Sequence, residues 1–161
     1  IRPISIINKG YFNTSSGYIK SILCLYASKE PKSFIDDSIV KIDNNYLKIS
    51  SSRNYHHFFP KAYLEKQGVD YSKINNVVNI TLVDDFLNKR IIRAKDPAKY
   101  MSSFKEQNVD LDRTMKTHLI NNLDEFGVWN NDYDKFIDKR AQAIHDEIKK
   151  RIIIRDIDII D

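Results

Sequence analysis

The sequence predicts a mainly helical α+β domain, and three observations carry that prediction. Apolar residues recur at three- and four-residue spacing in two long stretches, 18–28 and 133–152. One short run, Val77-Val78-Asn79-Ile80-Thr81-Leu82, is apolar and β-branched and reads as extended chain. Glycine and proline number only four each, which leaves little material for long loops. A chain of 161 residues is one domain's worth of sequence and buries a core without staples.

The elements follow in order. Tyr18 to Ser28 puts Tyr18, Ile19, Ile22, Leu23, Leu25 and Tyr26 on one helical face, with Ser15 or Ser16 as the cap. Glu30-Pro31 stops it. Val40 to Ile49 holds short strands around the turn signal Asp43-Asn44-Asn45. Lys61 to Gln67 is a short helix closed by Gly68. The 77–82 strand leads to a short helix over Asp84 to Arg90, acidic in its first turn. Pro97 then opens a helix over Ala98 to Ser103. Leu111 to Leu123 is a further helix. Tyr133 to Ile152 is the most regular, with Tyr133, Phe136, Ile137, Ala141, Ile144, Ile148 and Ile152 on its inner face and a cap at Asn130, Asn131 or Asp132.

Composition excludes several classes of function. The single cysteine, Cys24, rules out an intramolecular disulfide and a multi-cysteine zinc or iron–sulfur site. Set within Ile22-Leu23-Cys24-Leu25-Tyr26, it reads as buried packing, and a cytoplasmic, reducing compartment is expected. No apolar run reaches the ~20 residues that cross a bilayer, so no membrane partner is expected. Ile1-Arg2-Pro3 carries no signal-peptide pattern and no initiator Met, and we expect a piece of a longer chain. The richness in Ile, Asn and Lys is that of an AT-rich bacterial genome.

The net charge of +4 is unevenly spread. Residues 41–105 carry 12 basic and 6 acidic side chains, while residues 106–161 carry 9 basic and 13 acidic. The basic middle is an electrostatic footprint suited to phosphates. On charge alone, a solvated lysine-rich surface is the better explanation.

The chemistry-bearing residues fall in that basic middle. His56 and His57 are adjacent, between Asn54-Tyr55 and Phe58-Phe59-Pro60. Neighbours on a strand face opposite ways, but at a strand end the second can turn back toward the same pocket, where one imidazole could bind a metal while the other serves as base; two surface or half-buried histidines are the plainer reading. Asn79 is an amide inside an apolar run and must find hydrogen-bond partners if buried. Asn88, on the expected short helix, offers an amide oxygen to a hard cation. His118 and His145 read as packing or surface histidines, Trp129 as a core or loop anchor, and Arg140 as a structural partner of Asp138 or Glu147.

His56-His57-Phe58-Phe59-Pro60, Asn79-Ile80-Thr81-Leu82, Asn88 and Pro97-Ala98-Lys99-Tyr100 together resemble the HNH (ββα-metal) nuclease motif. The version is similar to the C-terminal nuclease half of GmrSD-type modification-dependent restriction proteins. Ser33-Phe34, Thr117-His118-Leu119-Ile120 and Phe136-Ile137-Asp138-Lys139-Arg140 resemble that family's flanks. The resemblance implies one HNH domain over 1–161, with a core motif at 48–104 and a helical part at 105–161. It implies His56 and Asn88 as metal ligands, His57 as the base that activates water, and Asn79 as the residue that holds the loop and keeps the base oriented. Arg53, Lys61, Lys89, Arg90 and Arg93 would grip DNA phosphates without reading bases. The implied cofactor is a divalent ion, Mg²⁺ first. His56 stands where the family commonly has Asp, and a nitrogen ligand shifts preference toward Mn²⁺, Ni²⁺ or Zn²⁺. Asp84, one helical turn before Asn88, could assist from behind it, although a helix N-terminal charge is the plainer role.

The expected activity is hydrolysis of DNA phosphodiester bonds in phage defence. An upstream nucleotide-hydrolysing regulatory domain is expected in the full-length protein. One site makes one nick, and a homo-oligomer is one route to a double-strand break. The alternative is a catalytically degenerate DNA-binding or interaction module that keeps the fold. A structural zinc site on His56 and His57 is disfavoured by the lack of cysteines.

Overall fold

The computed structural model describes residues 2–42, 55–84 and 91–152. Among these the architecture is α+β and mainly helical. Its helices are α1 (Pro3–Asn8), α2 (Gly17–Ser28), α3 (Lys61–Lys66), α4 (Tyr71–Ile74), α5 (Pro97–Gln107), α6 (Leu111–Lys116) and α7 (Tyr133–Lys149). Two strands, β1 (Tyr55–His57) and β2 (Ile80–Leu82), pair antiparallel with Tyr55 opposite Leu82, His56 opposite Thr81 and His57 opposite Ile80. The expected 43–49 strands, the 85–90 part of the expected helix and the tail beyond 152 lie outside the described residues. No helix among the described residues is long and apolar enough to cross a membrane.

Local chemistry sets the helix starts. Ser16 caps α2, its hydroxyl accepting from the Ile19 amide at 3.5 Å. Asp96 caps α5 through the Lys99 amide at 3.0 Å, with Pro97 in the first turn. Asp132 caps α7 through the Lys135 amide at 3.0 Å. Helix α7 turns Tyr133, Phe136, Ile137, Ala141 and Ile144 inward, as its periodicity predicts, and buries Arg140 as well; it ends at Lys149, so Ile152 of the expected inner face lies beyond it and is exposed. Helix α2 buries Ile19, Ile22, Leu23, Leu25 and Tyr26 but leaves Cys24 exposed, against the packing role expected from its apolar neighbours. At 100° per residue, Cys24 falls on the outer side of a helix whose inner face is centred on Ile22, Leu23 and Tyr26.

Two other elements differ from the sequence expectation. The run from Val77 is extended only from Ile80; Val77–Asn79 is a 3₁₀ turn. The Asn76 side chain accepts from the Val78 amide at 3.0 Å and caps that turn, so local hydrogen bonding overrides β-branched propensity. The expected 111–123 helix ends at Lys116. Leu119 takes a left-handed φ of 58°, and the Ile120 amide reaches back to the Met115 carbonyl at 3.1 Å. That is a helix stop of the kind glycine usually provides, carried out by a leucine whose side chain is buried.

The core is rich in aromatic rings. Phe58 stacks on Phe136 with centroids 4.9 Å apart, and Phe59 meets Phe136 and Tyr133 at 5.0 and 5.2 Å. Each fully buried phenylalanine contributes roughly 1.5–3 kcal/mol of burial. Tyr100 adds a hydrogen bond from its hydroxyl to the Phe58 carbonyl, fixing α5 to the end of β1. Gly10 is where the N-terminal segment crosses the 74–78 stretch. A Cβ there would stand 2.4 Å from Asn76 Oδ1 and 2.6 Å from the Ile6 carbonyl, so only glycine fits.

Candidate functional site

The two strands are joined by a long excursion, 58–79, that carries α3 and α4 and returns to its starting point. Asn79 closes it. The Phe59 amide donates to Asn79 Oδ1 at 2.9 Å, while Asn79 Nδ2 donates to the carbonyls of Phe59 at 3.0 Å and Ile74 at 3.2 Å. The Phe58 amide adds a bond to the Asn79 carbonyl at 2.8 Å. This amide is fully buried, and both ends of its side chain are satisfied, which resolves the cost of a polar group in an apolar run.

His57 sits at the end of β1, partly exposed, with the Phe12 ring edge-on at 6.4 Å. Its Nε2 lies 3.0 Å from Asn75 Oδ1. The orientation of that amide is fixed independently, because Asn75 Nδ2 donates to the Phe12 carbonyl at 3.2 Å. Oδ1 can only accept, so His57 carries its proton on Nε2 and keeps its Nδ1 lone pair. Burial pushes the His57 pKa down to about 4, against the Asn75 hydrogen bond, and the nearby Lys61 charge adds to the depression. At neutral pH the ring is an uncharged proton acceptor.

His56 leaves the strand on the opposite side, as alternation requires. It is 2% exposed, among Phe34, Phe58 and Tyr100, whose ring centroids lie 6.1–6.5 Å away. Nδ1 contacts Thr81 Oγ1 at 3.1 Å, and that hydroxyl reaches the His56 carbonyl at 3.4 Å. Both bonds form together when Nδ1–H donates and the hydroxyl proton goes to the carbonyl. Nε2 then holds a buried lone pair without a partner among the described residues. Burial first, then the fields of His57, His118 and Arg140, push the pKa down to about 3.

That orphaned neutral nitrogen is chemically suited to ligate a divalent ion. The other expected ligand, Asn88, lies outside the described residues, as do Arg53, Lys89 and Arg90. Among the described residues, no three His, Cys, Asp or Glu side chains gather at one point. Lys61, near His57, donates to the Tyr71 hydroxyl at 3.2 Å and lies over that ring at 5.2 Å from its centroid. Arg93 is exposed, at a left-handed φ of 52°.

Two contributors escape the sequence reading. Asn75 holds the His57 ring, and its only sequence signal is a polar Asn75-Asn76 pair set between Ile74 and Val77. Arg140 is 1% exposed and pairs with carbonyls, not with Asp138 or Glu147. It donates to Val78 at 2.5 Å, Ile80 at 2.6 Å and His118 at 3.2 and 3.1 Å, and stacks on the Tyr26 ring at 4.7 Å. Glu147 instead meets Lys29, Lys150 and Arg151 at the surface. His118 is buried, its Nε2–H donating to the Lys32 carbonyl at 2.7 Å. A cavity of about 430 Å³ between α1, α4 and α7 is lined by residues such as Ile7, Tyr11, Tyr133 and Ile137; neither His56 nor His57 borders it.

Comparison with known proteins gives one relative. A 95-residue stretch is 32% identical to an uncharacterized protein of Methanocaldococcus jannaschii, covering 58% of this chain and 15% of that protein. The chain thus spans under a fifth of the relative's length. No family model matches the chain, and no solved structure matches it.

Proposed function

We propose that this chain is an HNH-type nuclease domain that hydrolyses DNA phosphodiester bonds, with His57 as the general base. The observation that carries the reading is the neutral His57 imidazole, held from behind by Asn75 and standing at the mouth of a loop that Asn79 pins shut. Attack on a phosphodiester needs a water stripped of its proton at neutral pH, and an uncharged imidazole with a free Nδ1 takes that proton. Asn79 acts at one remove: by fastening Phe58 and Phe59 to the start of β2, it fixes the backbone that carries His57. Lys61 supplies positive charge beside the base for a flanking phosphate.

His56, with Asn88, would hold a divalent ion, whose chemistry is to relieve charge on the pentacovalent phosphorus and the departing oxygen. By resemblance to GmrSD-type proteins, the domain would act in cytoplasmic phage defence, under an upstream nucleotide-hydrolysing domain. The sealed position of His56 favours a second reading, a degenerate module that keeps the hairpin and binds DNA without cutting it.

The two readings separate on supercoiled plasmid. The nuclease reading predicts conversion to open circles with Mg²⁺, Mn²⁺ or Ni²⁺ and its loss on adding EDTA. Plasmid left intact by micromolar protein with all three ions, yet retarded on a gel, supports the degenerate module.

A further inference from the structure

Asn75, which holds His57 from behind, is itself fixed in place. It is 6% exposed and bonded on three sides. Its backbone carbonyl accepts from the Phe12 amide at 2.8 Å, its Nδ2 donates to the Phe12 carbonyl at 3.2 Å, and its Oδ1 faces His57 Nε2 at 3.0 Å. The first two bonds tie Asn75 to the segment after Gly10, so the amide cannot turn over without losing a donor–acceptor match. The third leaves the imidazole one way to bond: Nε2–H donating. Phe12 packs edge-on beside the ring, with its plane at 84° to the imidazole.

We propose that Asn75 is the positioning residue of this site, locking His57 in the Nε2–H tautomer so that Nδ1 is the atom that takes the proton from water. The inference rests on the nuclease reading for its second half and on hydrogen-bond geometry alone for its first. His57 is partly exposed, and with Nε2 engaged by Asn75, Nδ1 is the ring nitrogen left to meet an incoming water. A free imidazole interchanges its tautomers, and a base in the wrong tautomer aims an N–H at the water it should deprotonate. Fixing the tautomer therefore acts on rate and leaves DNA binding alone.

The test uses ¹⁵N-histidine-labelled protein at pH 7.5, well above the range in which the ring takes up a second proton. Long-range proton–nitrogen correlation is expected to show His57 Nε2 as the protonated, pyrrole-type nitrogen and Nδ1 as the pyridine-type one. In Asn75→Leu the signature is expected to shift to a tautomer mixture, and single-turnover nicking to fall by about tenfold or more with KM for DNA unchanged. Asn75→Asp keeps the acceptor oxygen, so it should retain the wild-type tautomer and nick within about threefold of wild type. A wild-type His57 with its proton on Nδ1 overturns the proposal whatever the nicking shows, as does an Asn75→Leu protein with an unchanged signature. A wild-type protein with the expected tautomer that nicks nothing overturns the hydrolytic reading and the water-activating half of the proposal, and upholds the hold of Asn75 on the ring.

Discussion

Lowering the pH from 7 to 5 is expected to remove about 6 kcal/mol of folding stability, at about 2 kcal/mol for each of three histidines. His56, His57 and His118 have pKa values pushed down to about 3, 4 and 4, in each case chiefly by burial. An unfolded histidine titrates near 6.5. Above that value all three are neutral in both states and cost nothing. Below it the unfolded chain takes up three protons that the folded chain refuses, so stability falls as pH falls, down to the folded pKa values. The paired carboxylates Asp37 and Glu147, each held down to about 2, act in the same direction but only below the ordinary carboxylate range. The window from pH 6.5 to 5 therefore reads the histidines. Domains of this kind hold only about 5–15 kcal/mol in all. Thermal melts followed by circular dichroism should show Tm falling by about 15 °C between pH 7 and 5. His118→Gln, which can still donate to the Lys32 carbonyl, should reduce that slope by about one third. A Tm that moves by less than about 3 °C would mean the three rings are not buried as neutral groups.

Arg140→Met is expected to cost about 3–5 kcal/mol at neutral pH, lowering Tm by about 10 °C. Two effects compete. Methionine matches the aliphatic bulk and releases the desolvation penalty that depresses the Arg140 pKa. Against this, the carbonyls of Val78, Ile80 and His118 lose a buried donor, at about 1–3 kcal/mol for each left unsatisfied, and Tyr26 loses its cation. Three acceptors against one released charge decides the sign. Arg140→Lys should recover only part, because one ammonium cannot span carbonyls that a planar guanidinium reaches from both sides. The carbonyls of Val78 and Ile80 flank Asn79, so Arg140 fastens α7 to the clamp that closes the 58–79 loop. An Arg140→Met protein melting within about 3 °C of wild type would contradict this.

Much of the helical frame is legible in the sequence, because periodicity and capping are local. Ser16 and Asp132 announce α2 and α7, and Tyr133, Phe136, Ile137, Ala141 and Ile144 turn inward as their spacing predicts, while Ile152, beyond the end of α7, does not. What is not legible depends on partners far along the chain. Arg140 looks like a helix-surface charge beside Asp138, yet its partners lie 22, 60 and 62 positions away. Leu119 gives no sign of a left-handed stop, since burial of its side chain offsets a conformation that glycine would adopt freely. The 3₁₀ turn before β2 exists because Asn76 captures the Val78 amide, a bond that strand propensity does not count.

The site divides in the same way. That Asn79 needs partners follows from its apolar neighbours, and the sequence order of histidines and asparagines marks the stretch to watch. Alternation places His56 and His57 on opposite sides of the strand, with His56 against Thr81 and Phe34 and His57 against Asn75 and Phe12, so the expectation that the second ring turns back toward the same pocket does not hold. Asn75 as the group behind His57 is visible only when the segment after Gly10 is brought against it.

The central claim is that His57 activates water for phosphodiester hydrolysis. The most direct measurement compares nicking of supercoiled plasmid by wild type and His57→Ala at pH 7.5, with both proteins shown folded by circular dichroism. The account predicts open-circular product from wild type with a divalent ion and a rate at least about 100-fold lower for His57→Ala. Nicking by His57→Ala at the wild-type rate would contradict it.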